Sequence, residues 1–438
     1  MTGHINRRTL LGGGVGAFAA AGAGRLVHAA EALSEGQAVS SPPDAACWAT
    51  PLAQDYTVAF RSQVAGRGID GVGIARLPDG MLIATIPVVL EEGWTCLVVQ
   101  SSDGGQSWGE PVAELPCHTV TPFVHQGQLY LFADPWGRRT RFLDLTLLRS
   151  DDAGRTWFDP VTVAKGTFWN CQTGMTILND RFYWAIDDRS LGAARRGHRV
   201  LAADLSRELM DSESWRISNF VPFPGLPDSL LNPKMTGSYP SNPMLEPNVL
   251  NVGGRLRIVS TVKPPLQATT NLAAVFDVTD DGQNLELSFT QYHPMPGGQV
   301  KFCVIWDEVS QMFWATVNLA VDGQDQFQFK DPAEHRGNRP YSGGLGGNDR
   351  RFLMLMYGID GLNWFPAGCV ARAGRLGQSF MYASQVIDGE DLAIIARSSV
   401  DGQNRHDADT ATFHRVRNFR RLAMNLRQDI DADATIDS

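Results

Sequence analysis

Apolar stretches broken by a tight turn recur along this chain, and they limit what it can fold into. "GVGIARLPDGMLIATI" (71–86) reads as a strand, a Pro-Asp-Gly turn and a strand. "FVHQGQLYLFA" (123–133), "MTILNDRFYWAI" (175–186), "NVLNVGGRLRIVSTV" (248–262), "KFCVIWDEVSQMFWATVN" (301–318) and "QVIDGEDLAIIARS" (385–398) repeat the form. Their arms are rich in β-branched and aromatic residues and their turns in Gly, Asn and Asp, which is hairpin chemistry. No stretch beyond the N-terminal segment keeps a helical period. With 44 glycines, 24 prolines and only 19% charged residues, the chain favours turns and short strands over helices with Glu/Lys-rich faces. The hairpins return about every 50–65 residues, a length suited to a four-stranded blade. The expected fold is therefore all-β, a β-propeller of six blades, with seven as the alternative.

A second repeat supports this. "SSDGGQSW" (101–108) and "SDDAGRTW" (150–157) are near copies, with degenerate forms "VTDDGQNL" (278–285) and "YGIDGLNW" (357–364). In such a turn the Asp carboxylate accepts backbone N–H bonds, glycine supplies positive φ, and the Trp packs between sheets.

The N-terminus reads as an address. Arg7 and Arg8 precede a mild Gly/Ala/Leu stretch and small residues near Ala29 and Ala30, similar to a twin-arginine export signal. The stretch is too short and glycine-rich for a membrane span. The expected organisation is a signal over 1–30, a linker over 31–54, the propeller over 55–425 and a tail over 426–438. The protein is then periplasmic or extracellular, without a membrane span. A net charge of −9 argues against a nucleic-acid partner. The six cysteines form no CxxC or CxxH pair, so no zinc site of ordinary spacing is expected. An oxidising compartment permits pairing among them, with connectivity open. No phosphate-binding, dinucleotide, nucleophile-elbow or metalloprotease motif occurs. No cofactor is expected, and Ca²⁺ at loop carboxylates is supported by no pattern.

The eight-residue turns resemble the Asp boxes of the sialidase superfamily, and the likeness extends over roughly 55–420. That resemblance implies an active centre at the propeller mouth. Within "LEPNVLNVGGRLRIVSTVK" (245–263), Glu246 matches the sialidase glutamate. The closing arginine position falls at Val262, or at Lys263 with a one-residue shift. Within "FMYASQVIDGEDLAIIARS" (380–398), Tyr382 matches the nucleophilic tyrosine. Tyrosine has a pKa near 10 and needs a base such as Glu246 to take its proton. A neutral nucleophile suits an anomeric carbon that bears a carboxylate, and sialidases depart from the usual carboxylate pair in this way. Glu91 or Glu92 in "IPVVLEEGW" is the candidate general acid. The sequence also departs from the pattern. Asp70 stands near the expected first arginine, and the third is Arg351, with Arg350 beside it. These departures argue against true sialidase activity.

A closer resemblance is to exported bacterial sialidase-like proteins. On "PGGQVKF", the 380–399 run and "HDADTATFHRVRNFR" it adds Lys301 and Arg397 as holders of an acidic sugar, and His406 beside Asp407 as an oriented acid or base. The implied catalytic set is Tyr382, Glu246, Glu92 and His406. The implied binding set is Asp70, Lys263, Lys301, Arg351, Arg397 and Asp407. His118 and His125 in "CHTVTPFVHQG" lie closer together than the histidine pair of propeller lyases, and His414 reads as a strand residue. Tryptophans in "FWNCQTG" and "DPWGRR" are candidates for the mouth. The expected activity is exo-hydrolysis of an acidic or uronic-acid-containing oligo- or polysaccharide by a monomer. Two alternatives stay open: β-elimination at a uronic acid, and a non-catalytic glycan-binding propeller.

Overall fold

The computed structural model describes residues 50–63, 68–90, 93–135, 143–192, 195–230, 243–263, 271–320, 349–374, 378–400, 406 and 408–426. The segment read as an export signal lies outside them. Among the described residues there is no α-helix, and short 3-10 turns include Ser212–Ser214, Asp228–Leu230 and Phe419–Leu422. No helix of the described residues is long and apolar enough to cross a membrane.

Each expected hairpin forms, and each leads an antiparallel meander. Gly73–Arg76, Leu82–Leu90, Gly93–Ser101 and Ala113–Leu115 make one sheet. Met244–Val252, Arg255–Val262, Leu272–Asp280 and Leu285–Pro294 make another, and Cys303–Asp307, Met312–Asn318, Phe352–Gly358 and Phe365–Arg372 a third. Between the first two lies a nine-stranded sheet. In it a meander from Cys117–His125 to Val161–Trp169 joins a second one, built on Arg181–Asp188 and Gly197–Asp204, where Trp169 pairs with Asp187. The last sheet holds Ser379–Asp388, Asp391–Ser399 and Thr410–Val416, and its outer strand comes from the other end of the chain, Thr57–Arg61. The end of the expected linker is docked rather than loose. Leu52 and Ala53 donate backbone hydrogen bonds to Cys369 and Val370 at 2.7 and 2.9 Å.

The leading strands lie edge to edge, where unpaired N–H and C=O groups would be buried at a cost. Buried polar side chains take those bonds. The Gln172 amide accepts from Ile74 N and donates to Ile74 O. Asn248 Oδ1 accepts from Gly174 N and Val304 N at 2.7 and 3.0 Å. Gln385 Nε2 donates to Cys303 O, and Ser384 Oγ to Val72 O. Apolar clusters fill the spaces between sheets, such as Trp184 stacked on Phe132 with centroids 4.5 Å apart.

The repeated turns have the expected form. Asp152 accepts from Arg155 N at 3.0 Å, Thr156 N at 2.8 Å and Thr156 Oγ1 at 2.7 Å, while Ser150 Oγ accepts from Gly154 N. Asp103 is bound the same way by Ser107, and Ser101 Oγ accepts from Gly105 N. Gly105 has φ +83°, and a Cβ there would overlap the Phe413 ring. Trp108 packs edge-on against that ring at 5.5 Å, joining the turn to the last sheet. The degenerate copies keep the Asp: Asp281 accepts from Asn284 N and Asp360 from Asn363 N. The described cysteines, Cys96, Cys117, Cys171, Cys303 and Cys369, are all free thiols, and Cys47 lies outside the described residues.

Candidate active site

Three leading strands break register near the same end. The pairing slips between Cys117 and Val120, between Leu245 and Asn248, and between Met381 and Ser384. These bulges contain His118, Glu246 and Tyr382. A bulge re-aims a side chain that regular pleating would send elsewhere. Glu246 and Tyr382 also adopt left-handed backbone, φ +58° and +50°. A non-glycine residue holds that conformation at a cost of roughly 1–3 kcal/mol, which surrounding bonds must offset.

The supports are visible. The Glu246 N–H donates to both oxygens of Asp187, at 3.2 and 3.1 Å, and Asn248 Nδ2 donates to Glu246 O at 3.2 Å. Behind Tyr382, Lys301 Nζ donates to Tyr382 O at 3.3 Å, to Ala383 O and to Ser384 Oγ at 3.0 Å. Lys301 is therefore buried scaffolding under the tyrosine, its ammonium taken up by two backbone carbonyls and a serine hydroxyl. This corrects the expectation that it holds a ligand.

Glu246 and Tyr382 come together across the sheets. The tyrosine hydroxyl is close enough to favour the ionised Glu246 carboxyl, yet neither Glu246 oxygen has a complete hydrogen bond. Catalytic hydrogen bonds often tighten only when substrate arrives. Burial raises the pKa of Glu246; Lys263 opposes that rise, Asp187 adds to it, and Tyr382 and Arg350 oppose it. Burial also pushes the Tyr382 hydroxyl well above its ordinary value; the Glu246 charge adds to this, while Arg350 and Arg397 oppose it. The phenol thus keeps its proton until a base removes it, and the base beside it has heightened proton affinity.

Cations surround the pair. The Arg350 and Arg397 guanidinium carbons each lie 5.3 Å from the Tyr382 ring centroid. Lys263 stands beside Glu246, and burial lowers its pKa to about 8 despite the pull of that carboxylate. Its neighbour Val262 is buried in the core, so the one-residue shift selects the lysine. Arg351 is spent elsewhere, since its Nε and Nη2 grip Asp349 as a fork at 2.9 Å each. The arginine beside the tyrosine is therefore Arg350 and not the expected Arg351; both precede the strand Phe352–Gly358, and Asp349 engages the second of them.

Asp70 is held at 3.0 Å by both Arg397 Nη1 and His118 Nε2. Burial alone would raise its pKa, but the His118 hydrogen bond and the Arg397 charge outweigh that and hold it well below the usual carboxylate range. His118 rests on Trp94 with centroids 4.4 Å apart. His406 contributes its carbonyl, which accepts from Arg397 Nη2 at 2.8 Å. Glu91, Glu92 and Asp407 lie outside the described residues. His125 sits at the far end of its strand from His118. His414 is core, bound to Ala53 O at 2.8 Å and Thr412 Oγ1 at 2.9 Å. Trp169, from the "FWNCQTG" segment, lies 5.0 Å under the Arg196 guanidinium; the tryptophan of "DPWGRR" is outside the described residues.

Sequence reasoning missed Asp187, Arg196 and His198. Arg196 Nη2 lies 3.0 Å from Asp187 Oδ2, and His198 Nδ1 3.1 Å from Asp187 Oδ1. The one available signal was Asp187–Asp188 closing an otherwise apolar strand, "RFYWAIDD". The pairing of His118 with Asp70 left no signal, because the two are 48 residues apart.

No known family profile matches the sequence, and no curated protein is detectably similar to it. Solved structures do share its fold. A Trypanosoma rangeli sialidase mutant with trans-sialidase activity is 14% identical, with a TM-score of 0.53 over 84% of this chain and 58% of that one. The same organism's sialidase in covalent complex with 2,3-difluorosialic acid gives 14% identity and 0.52, over 81% and 55%. The chain thus spans less than two thirds of the length of these sialidases. A Dyadobacter fermentans protein of unknown function is 11% identical, with a TM-score of 0.53 over 83% of this chain and 98% of that one. At such identities the likeness is one of architecture: the chain has the propeller fold of the sialidases.

Proposed function

We propose that this protein is a glycoside hydrolase that removes an acidic or uronic-acid-bearing sugar from a glycan end. The observation that carries the reading is the convergence of Tyr382 and Glu246, both in left-handed bulges, with Arg350, Arg397 and Lys263 around them. Tyr382 Oη attacks the anomeric carbon while Glu246 takes its proton, and the glycosidic C–O bond breaks. The leaving oxygen takes a proton from an acid, for which Glu91 and Glu92 are the candidates. Water then cleaves the tyrosyl–sugar bond: the spent acid, now a carboxylate, takes the water proton, and Glu246 returns its proton to Tyr382 Oη.

The site is electrically lopsided. Arg397 is already matched by Asp70, so a carboxylate on that side meets a like charge. Lys263 and Arg350 lie on the Glu246 side. An acid group carried elsewhere on the ring fits that side, whereas a carboxylate at the anomeric carbon does not. This supports a uronic-type sugar over a sialic acid.

The reading includes six blades, with the nine-stranded sheet counted as two, and export directed by the Arg7–Arg8 leader. A second reading, β-elimination at a uronic acid, draws on Lys263: at about 8 its pKa is near that of a working base. Digestion of uronic-acid and sialic-acid glycans, followed by mass spectrometry, separates the readings. Hydrolysis adds water to the products, and elimination leaves an unsaturated sugar. Loss of turnover in Tyr382→Phe, with a covalent sugar on Tyr382 trapped by a fluorinated substrate analogue in wild type, supports the hydrolase. Unchanged turnover in Tyr382→Phe sinks it. Binding without turnover by wild type makes the protein a glycan-binding module.

A further inference from the structure

The buried cluster behind Glu246 is not used by the chemistry above. Asp187 is the penultimate residue of the strand Arg181–Asp188, in the sheet next to Glu246's own, and is 1% exposed. Its carboxylate receives four approaches: two from the Glu246 N–H, one from Arg196 Nη2 and one from His198 Nδ1. Arg196 and His198 are 3% and 0% exposed. The Arg196 guanidinium is backed by Trp169, and His198 packs edge-on against Phe276 at 5.5 Å.

A buried ionic cluster of this kind is usually matched in stability by apolar residues of similar volume. Its charges therefore call for another role, and their placement supplies one. The only backbone N–H that the described contacts bring to Asp187 from another sheet is that of Glu246, at the residue with φ +58°. We propose that Asp187, braced by Arg196 and His198, is a positioning residue that locks the Glu246 backbone in its bulge and supplies the negative charge behind its carboxylate. This rests on the reading that Glu246 accepts the Tyr382 proton.

Around Glu246 stand Lys263, Asp187, Tyr382 and Arg350. The Cys171 thiol also feels its charge, Arg196 faces Lys263, and Lys301 lies near Cys171. In this set Asp187 is the anion that raises the proton affinity of Glu246 against the cations. Asp187→Asn keeps the shape and an acceptor oxygen but removes the charge. Glu246 is then left among cations, holds its proton less tightly and ionises at lower pH. Arg196→Gln removes a cation and has the opposite effect.

The test is the acidic limb of kcat/KM against pH on the glycan that wild type turns over. In Asp187→Asn the limb moves down by about one pH unit, and turnover falls about ten- to a hundredfold as the carboxylate loses its aim. In Arg196→Gln the limb moves up. Opposite shifts are not produced by a purely structural role. A limb that stays in place in a folded variant overturns the proposal. If neither variant folds, Asp187→Glu decides: with the charge kept and the carboxylate displaced, the limb stays in place while kcat falls, and an unchanged kcat overturns the proposal. Full activity in Glu246→Gln would instead overturn the catalytic reading itself, whatever Asp187 does.

Discussion

Asp152, in the outer turn, and Glu246, in the inner bulge, are the same functional group handled in opposite ways. Asp152 is half-buried at the surface and takes N–H and O–H bonds from residues three and four places along the chain. Those bonds, led by the one from Thr156 N, lower its pKa to about 2. Glu246 is buried, is wrapped by residues from distant segments, and has its pKa raised by the loss of water. The first carboxylate is fixed as an anion and serves the turn. The second is kept near the point of protonation, which is where a proton acceptor is useful. Local sequence suffices to build the first, while the second needs several sheets.

The largest effect that sharpens this contrast is on turnover. Glu246→Gln lowers kcat by about 10²–10⁴-fold, whereas Asp152→Asn leaves it within about twofold. Steady-state assays on the two variants check this, and equal losses would erase the distinction. In wild type the same group shapes the pH profile. kcat/KM rises as pH climbs through the raised Glu246 value, and falls again as Lys263 loses its proton near pH 8.

Stability comes next. Gly105→Ala forces φ +83° on a residue with a Cβ and drives that Cβ into Phe413. Denaturant titration should show a loss of about 1–3 kcal/mol, with kcat in the surviving folded protein unchanged. Lys263→Met raises KM for an acidic substrate about tenfold with little change in kcat, since it removes a binding charge rather than a reacting group.

The smallest effect belongs to Asp152→Asn, a fall in Tm of less than about 3 °C near neutral pH. Its sign with pH is definite. The folded pKa, about 2, lies below the ordinary aspartate value of 3.8, so the carboxylate stabilises above that value. That contribution is lost as pH falls from 3.8 toward 2, and variant and wild type should converge there. A Tm gap that widens on acidification would contradict the account.

The same contrast explains what the sequence revealed. The hairpins and turns were legible because each is written in one contiguous stretch, such as the Ser150–Trp157 turn whose bonds span two to four residues. Glu246, Tyr382 and Lys263 were legible only through resemblance to a family. Arg350 and Arg351 were indistinguishable until the fold put Arg351 in the grip of Asp349 and Arg350 beside the Tyr382 ring. Lys301 looked like a binding residue because its type and segment fitted, and nothing local disclosed that its ammonium is taken up by backbone carbonyls. Asp187, Arg196 and His198 gain meaning only from the fold, because the Glu246 N–H that donates to Asp187 comes from 59 residues away.

One outer strand carries a wider consequence. Thr57–Arg61 completes the sheet that also bears Tyr382, hundreds of residues later in translation. Thr57–Arg61 must wait for Thr410–Val416 to emerge before it can pair, so the sheet that bears Tyr382 closes last. Deleting Thr57–Arg61 would therefore strike at the sheet behind Tyr382, and not merely at a dispensable margin.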